Sequence, residues 1–210
     1  MNRVLLVCGS LQRASANRAA LDVARAALAA RGIEADLYDE IASIPPMNAD
    51  HDGDPGAAVI GFRDRIGAAD AVILAAPEYA GGLAGALKNA LDWVVGGGQL
   101  YNKPIAILSA GTSGGVFARR DLVRTLSWQG AHVVESLGIA GPNARSTTDA
   151  GGARRFTDPA TIGEIEAMVS SLIALAEGPP AARLPAITRL ALDAGIDPAP
   201  LRDLILAQGG

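Results

Sequence analysis

Cysteine occurs once in the 210 residues, at Cys8. A lone thiol cannot build an internal disulfide framework, and it fits a reducing compartment. The chain has no basic block either: 18 Lys and Arg are interspersed with 22 Asp and Glu, for a net charge of -4. Without a cationic patch to displace counterions, no nucleic-acid partner is expected. Long hydrophobic runs are missing near the N-terminus, where apolar Val4 to Val7 passes straight into polar residues. That run is too short for a secretory h-region or for a spanning helix of about 20 residues. The sequence therefore predicts a soluble, unprocessed, cytoplasmic protein with no membrane partner.

Several ligand motifs are also absent. The stretch after the first apolar run contains neither G-x-G-x-x-G nor G-x-x-x-x-G-K-[ST], which argues against a dinucleotide pyrophosphate or a nucleoside triphosphate there. Asp50, Asp52, Gly53 and Asp54 superficially suggest a calcium loop, but an EF-hand needs Glu at its twelfth position and position 61 is Gly61. No metal site is expected. The two histidines, His51 and His132, stand near no recognisable triad.

What is present is alternation. Strand-type runs RVLLVC, IEADLY, DAVILAAP, PIAILSAG and HVVESLGIAG alternate with five helical patterns, the last being DPATIGEIEAMVSSLIALAE. VLLV, AVILAA and IAIL are apolar without interruption, as in strands covered on both faces. The pattern predicts an α/β fold: a doubly wound, five-stranded parallel sheet with helices on both faces, in a chain long enough to bury roughly 70% of its unfolded surface. Gly32, with Arg31 before it, marks the end of the first helix. After Ala176 the composition shifts to EGPPAARLP, so residues 1–177 read as the main domain and 178–210 as a linker and helical tail. Ile187, Leu190, Leu201, Leu204 and Ile205 would dock that tail on its own domain or on a partner subunit. Ligand binding by the main domain should not need it.

In doubly wound sheets ligands sit at the carboxyl ends of the strands, which directs attention to CGSLQRASAN, APEYAGGLAGAL and SAGTSGGVF. In the first, Ser10, Ser15 and Asn17 place side-chain donors beside a helix N-terminus, a combination suited to one phosphate monoester. Ordinary turn and cap chemistry would use the same residues.

These loops resemble the NADPH-dependent FMN reductase family, flavodoxin-like proteins that include quinone, azo-dye and chromate reductases. GSLQRASAN is similar to the family's GSLR motif followed by S-x-N, and PEYAGGLAGALKNALDW to its P-E-Y-N and G-A-L-K-N-A-x-D-W. The resemblance runs roughly from Arg3 to Glu177. It implies that Ser10, Ser15 and Asn17 bind the FMN phosphate, with Gln12 in place of the usual arginine and Arg13 one position later. It places Pro77, Glu78, Tyr79, Gly81 and Gly82 along the flavin edge, with Ala80 where asparagine is usual. Ser109, Gly111, Thr112, Gly114 and Gly115 would lie beside the ring, followed by Phe117 where arginine is frequent.

The implied activity is transfer of electrons from NADPH or NADH through FMN to a small-molecule acceptor: a quinone, an azo compound or free flavin. Because the redox chemistry belongs to the cofactor, no catalytic acid, base or nucleophile is expected. With one ring face open, both substrates would use it in turn, giving ping-pong kinetics. The expected assembly is a homodimer or homotetramer. Two alternatives share these residues: a flavodoxin-like electron carrier without dinucleotide turnover, and a low-molecular-weight-type phosphatase using Cys8. In the latter, Arg13 stands one residue short of the C-x5-R spacing. Trp93 reads as core or subunit interface, and Lys88 with Asp92 as a weak surface pair.

Overall fold

The computed structural model describes residues 1–206. Its elements run β1 (Arg3–Cys8), α1 (Ala16–Ala29), β2 (Glu34–Tyr38), α2 (Ala57–Ala68), β3 (Ala71–Ala75), β4 (Glu78–Tyr79), β5 (Gly82–Leu83) and α3 (Gly85–Asp92). They continue with β6 (Pro104–Gly111), α4 (Val116–Ser127), β7 (His132–Ala140), β8 (Ser146–Thr148), β9 (Arg154–Phe156), α5 (Pro159–Glu177), α6 (Leu184–Asp193) and α7 (Ala199–Leu206). Five strands form one sheet in the order β2-β1-β3-β6-β7, all pairs parallel. This is the flavodoxin-like winding, with its switch point between β1 and β3.

The apolar runs are explained by two-sided burial. Leu5, Val7, Val72, Leu74, Ile105 and Ile107 face the layer that holds α2, α3 and α4. Their neighbours Val4, Leu6, Ile73, Ala75, Ala106 and Leu108 face α1 and α5. Each fully buried Val, Leu or Ile contributes about 1.5–3 kcal/mol, so these strands anchor everything their carboxyl ends carry.

Helix ends follow local chemistry. Ser15 caps α1, its Oγ accepting from Arg18 N at 3.4 Å. The same helix closes on Gly32 at φ +70°, with Ile33 N donating to Leu28 O at 3.1 Å. Asp158 caps α5, accepting from Thr161 N at 3.0 Å, and Pro159 occupies the first turn. Lys103 donates to Ile66 O and Ala69 O at 2.7 and 2.6 Å, satisfying carbonyls at the end of α2. Trp93 is buried and donates to Pro45 O at 2.8 Å, so it serves the core. Lys88 and Asp92 do form an exposed pair, at 2.6 Å. By length and hydropathy α5 alone among the described helices could cross a membrane; here Ile165, Val169 and Leu172 are fully buried against the sheet.

Residues 180–206 pack on their own subunit. α6 and the Ala194 that ends it send Leu190 and Ala194 into one core layer and Ile187 and Ala191 into the other, so the helix lies across β7, the edge strand. Arg183, only 7% exposed, leads into it. Its guanidinium donates to Leu175 O and Ala176 O at the end of α5, to Asn102 O, and to His132 Nδ1 at 3.2 Å. Residues 207–210, the last part of the anticipated tail, lie outside the described residues.

Two antiparallel hairpins, β4–β5 and β8–β9, have no counterpart in the sequence reading. Strands of two or three residues are too short to show a period of two.

Candidate functional site

The carboxyl ends of β1, β3, β6 and β7 surround a cleft of about 450 Å³. That lies within the range of about 300–1,000 Å³ typical of small-molecule sites. Ser10, Gln12, Ser15, Asn17, Pro77, Glu78, Tyr79, Gly111 and Thr112 line it. Sequence reasoning missed its other wall, made of Gly141, Pro142 and Asn143 after β7 and of Arg154 at the start of β9.

The first loop keeps donors in reserve. Ser10 Oγ accepts from Gln12 N at 3.2 Å and Ser15 Oγ accepts the α1 capping bond. A hydroxyl that accepts still has a proton to give, and neither donates to any group among the described residues. Beside them the first turn of α1 presents the N–H groups of Ala16 and Asn17, which have no carbonyl partner within the helix. Asn17 is used differently. Its amide pairs with both sides of the Ala110 peptide, Oδ1 accepting from Ala110 N at 2.9 Å and Nδ2 donating to Ala110 O at 3.3 Å. It therefore ties the first loop to the third. Arg13 lies outside the cleft, on a neighbouring depression shared with Cys8, Arg18 and Asp39.

The second loop is a tight hairpin. Ala80 and Gly81, its two turn residues, have φ of +51° and +71°. Positive φ at both central positions defines a type I′ turn, which favours Asn-Gly. The asparagine usual at this position is thus a turn former, and Ala80 carries the steric cost of the left-handed region. Ala80→Asn should stabilise the protein by about 0.5–1 kcal/mol, read as a rise in the urea midpoint; a fall would show that the turn is not type I′ in solution.

Glu78 is half-buried and turned toward α4. Its carboxylate accepts from Phe117 N at 2.7 Å, Ala118 N at 3.1 Å and Ser113 Oγ at 3.1 Å, capping the N-terminus of α4 with a charge of favourable sign. Asp121 accepts from Leu83 N at 3.1 Å, so both strands of the hairpin are latched to α4. Gly81 and Gly82 shape this hairpin and stand outside the cleft lining.

Of the third loop Ala110, Gly111 and Thr112 reach the cleft. Ser109 is fully buried beneath it, donating to Ala76 O at 2.5 Å. Gly115 sits directly over Ser109 at φ +62°, where a Cβ would fall 1.9 Å from the serine Oγ. Gly114, at φ +71°, abuts the backbone of Gly138. These three residues set the loop's path beside the cleft.

Cys8 is 2% exposed, with Sγ 3.6 Å from Ser10 O, and burial pushes its thiol pKa up. A phosphatase nucleophile needs the reverse, an accessible thiolate of lowered pKa. Among the described residues no cluster of three or more His, Cys, Asp or Glu is placed to hold a metal ion.

A flavodoxin-like sheet that carries a serine-bearing first loop and Gly-rich second and third loops at its switch point has the architecture of the mononucleotide-binding α/β proteins. The model of the NADPH-dependent FMN reductase family matches residues 2–145, and the chain belongs to that family. It is thus an oxidoreductase that uses FMN with a reduced nicotinamide dinucleotide as electron donor. An NAD(P)H-dependent FMN reductase of Pseudomonas aeruginosa is 39% identical over 156 residues, covering 71% of this chain and 83% of the relative. A rice protein named as an NADPH:quinone oxidoreductase is 41% identical over 117 residues, 52% of this chain; the match spans only 58% of the rice protein. Among solved structures, the flavoenzyme NAD(P)H:(acceptor) oxidoreductase FerB of Paracoccus denitrificans superposes with a TM-score of 0.66 at 26% identity, covering 83% of this chain and 98% of FerB.

Proposed function

We propose that this chain is a cytosolic NAD(P)H:acceptor oxidoreductase whose FMN phosphate sits in the first loop and whose acceptor is a quinone or another small, flat aromatic molecule. The observation that carries this reading is the pair of serine hydroxyls, Ser10 and Ser15, with unspent protons at the N-terminus of α1 and at the carboxyl end of β1. When bound, the flavin supplies the two-electron chemistry. The protein's part is placement. Asn17 and Glu78 brace the first loop against the third and the second against α4, so the walls meet a ligand already positioned. Exposed Tyr79 and Phe117, 62% and 54% accessible, stand at the second loop and the start of α4 and offer apolar faces to an aromatic acceptor.

With the cofactor held in this cleft, donor and acceptor would reach it from the same open side, so oxidised dinucleotide would leave before the acceptor enters. Initial rates with NADPH at several quinone concentrations should then give parallel double-reciprocal lines. Intersecting lines would show that donor and acceptor occupy the protein together. Purified protein should be yellow, or become so on reconstitution with FMN; a preparation that takes up no flavin would end the reading. One that takes up flavin but oxidises neither NADPH nor NADH would be an electron carrier.

A further inference from the structure

We infer that Arg154, on the β8–β9 hairpin, is the charge partner of the phosphate held by the first loop, an inference that rests on the function proposed above. The loop itself lacks a cation at the cleft. Gln12 stands where arginine is usual, and Arg13 lies on the other side of the loop. Arg154 comes from beyond residues 2–145, the part that matches the family.

Its guanidinium is fixed in place. Nε donates to Ala14 O at 3.2 Å, one residue before Ser15, and Nη1 donates to Asn143 Oδ1 at 2.7 Å and Ser146 Oγ at 3.1 Å. All these acceptors are neutral. No carboxylate pairs with Arg154 among the described residues, whereas its neighbours Arg145 and Arg155 pair with Asp158 and Asp149. Nη2 has no partner among the described residues, on a side chain that lines the cleft together with Ser10 and Ser15. Bracing a hairpin needs donors but not a charge. A half-buried, uncompensated guanidinium beside two spare hydroxyl protons and a helix N-terminus is matched by a dianionic monoester, to which arginine donates in its planar fork. The arginine missing from the motif is thus supplied from 140 residues downstream of Ala14.

Dissociation constants of FMN and riboflavin, measured by flavin fluorescence quenching on the apoprotein, test this. Arg154→Ala should weaken FMN roughly 10- to 100-fold, the range for a lost hydrogen bond to a charged group, and riboflavin less than about threefold. Arg154→Lys, which keeps the charge without the fork, should recover part of the preference for FMN. Arg13→Ala should change neither constant. The dependence of FMN affinity on salt should flatten in Arg154→Ala. Equal losses of FMN and riboflavin would make Arg154 a brace only, and an unchanged FMN constant, or a loss seen in Arg13→Ala instead, would likewise overturn the assignment. A parent protein that binds neither flavin would remove the proposed function and this inference together. An FMN preference that survives Arg154→Ala removes this inference alone.

Discussion

A chain ending at Pro180 should lose its native fold, although it retains every residue that lines the cleft. Ile187, Leu190, Leu201 and Ile205 are at most 8% exposed. At about 1.5–3 kcal/mol each, their burial is worth about 6–12 kcal/mol, comparable with the whole stability of a typical domain, about 5–15 kcal/mol. The cut also removes Arg183 and leaves Leu175 O and Ala176 O without their donor. Urea unfolding followed by circular dichroism is the measurement. A truncated chain that unfolds cooperatively near the parent's midpoint would show that α6 and α7 only decorate the domain. The sequence suggests a tail separable from flavin binding; the burial of these four residues predicts instead that removing the tail abolishes flavin binding through loss of the fold.

Acid should weaken the protein well before its carboxylates titrate. His132 is 1% exposed, faces the Arg183 guanidinium through Nδ1, and has no partner for Nε2 among the described residues. Burial first, and the arginine's charge second, lower its pKa from 6.5 to about 4. In the unfolded chain the ring takes up a proton as pH falls through 6.5, while the native ring stays neutral until about pH 4. Unfolding therefore binds a proton throughout that window, and stability declines with falling pH. The full loss is about 3 kcal/mol by pH 4, at 1.36 kcal/mol per unit. Asp70, held below the usual carboxylate range chiefly by the N–H groups of Asn2 and Arg3, acts at lower pH and does not blur this window. His132→Asn preserves an acceptor for Arg183 and removes the titration. Its urea midpoint should stay nearly level from pH 6.5 to 4.5 while the parent's falls. Parallel decline of the two proteins would place the sensitive group elsewhere.

The frame of the molecule was legible because it is written in long signals. β1, β3 and β6 are buried on both faces and so appear as unbroken apolar runs, and Ser15, Gly32 and Asp158 mark helix ends by local chemistry. The first loop and the P-E-Y segment could be placed for the same reason: each lies between strong elements. What could not be read depends on contacts distant in sequence. Nothing near Arg154 announces that it meets Ala14, and β8 and β9 are three residues each. Ser109 has the composition of a ligand donor, yet at the end of β6 its side chain turns beneath the loop to Ala76. Glu78 invites a catalytic reading by its charge and its neighbours, but only the position of α4 shows it to be a cap. Ala80 conceals a type I′ turn that asparagine would have advertised. Apolar spacing marked Ile187, Leu190, Leu201, Leu204 and Ile205 as needing cover; four of them are buried and Leu204 is half-buried, but the spacing did not show what they would cover.

The position of α6 across β7 also bears on how the chain is made. The last strand of the sheet ends at residue 140 and α6 begins at residue 184, so a ribosome delivers the complete sheet well ahead of the helix that shields its final strand. During that interval the backbone groups along the free side of β7 are open to pairing with another nascent chain. Synthesis that stalls between those two points releases molecules with an intact strand template and no guard over it. Polysome crowding, slow codons or premature termination in this stretch should therefore drive aggregation far more than the same events before β7 is made.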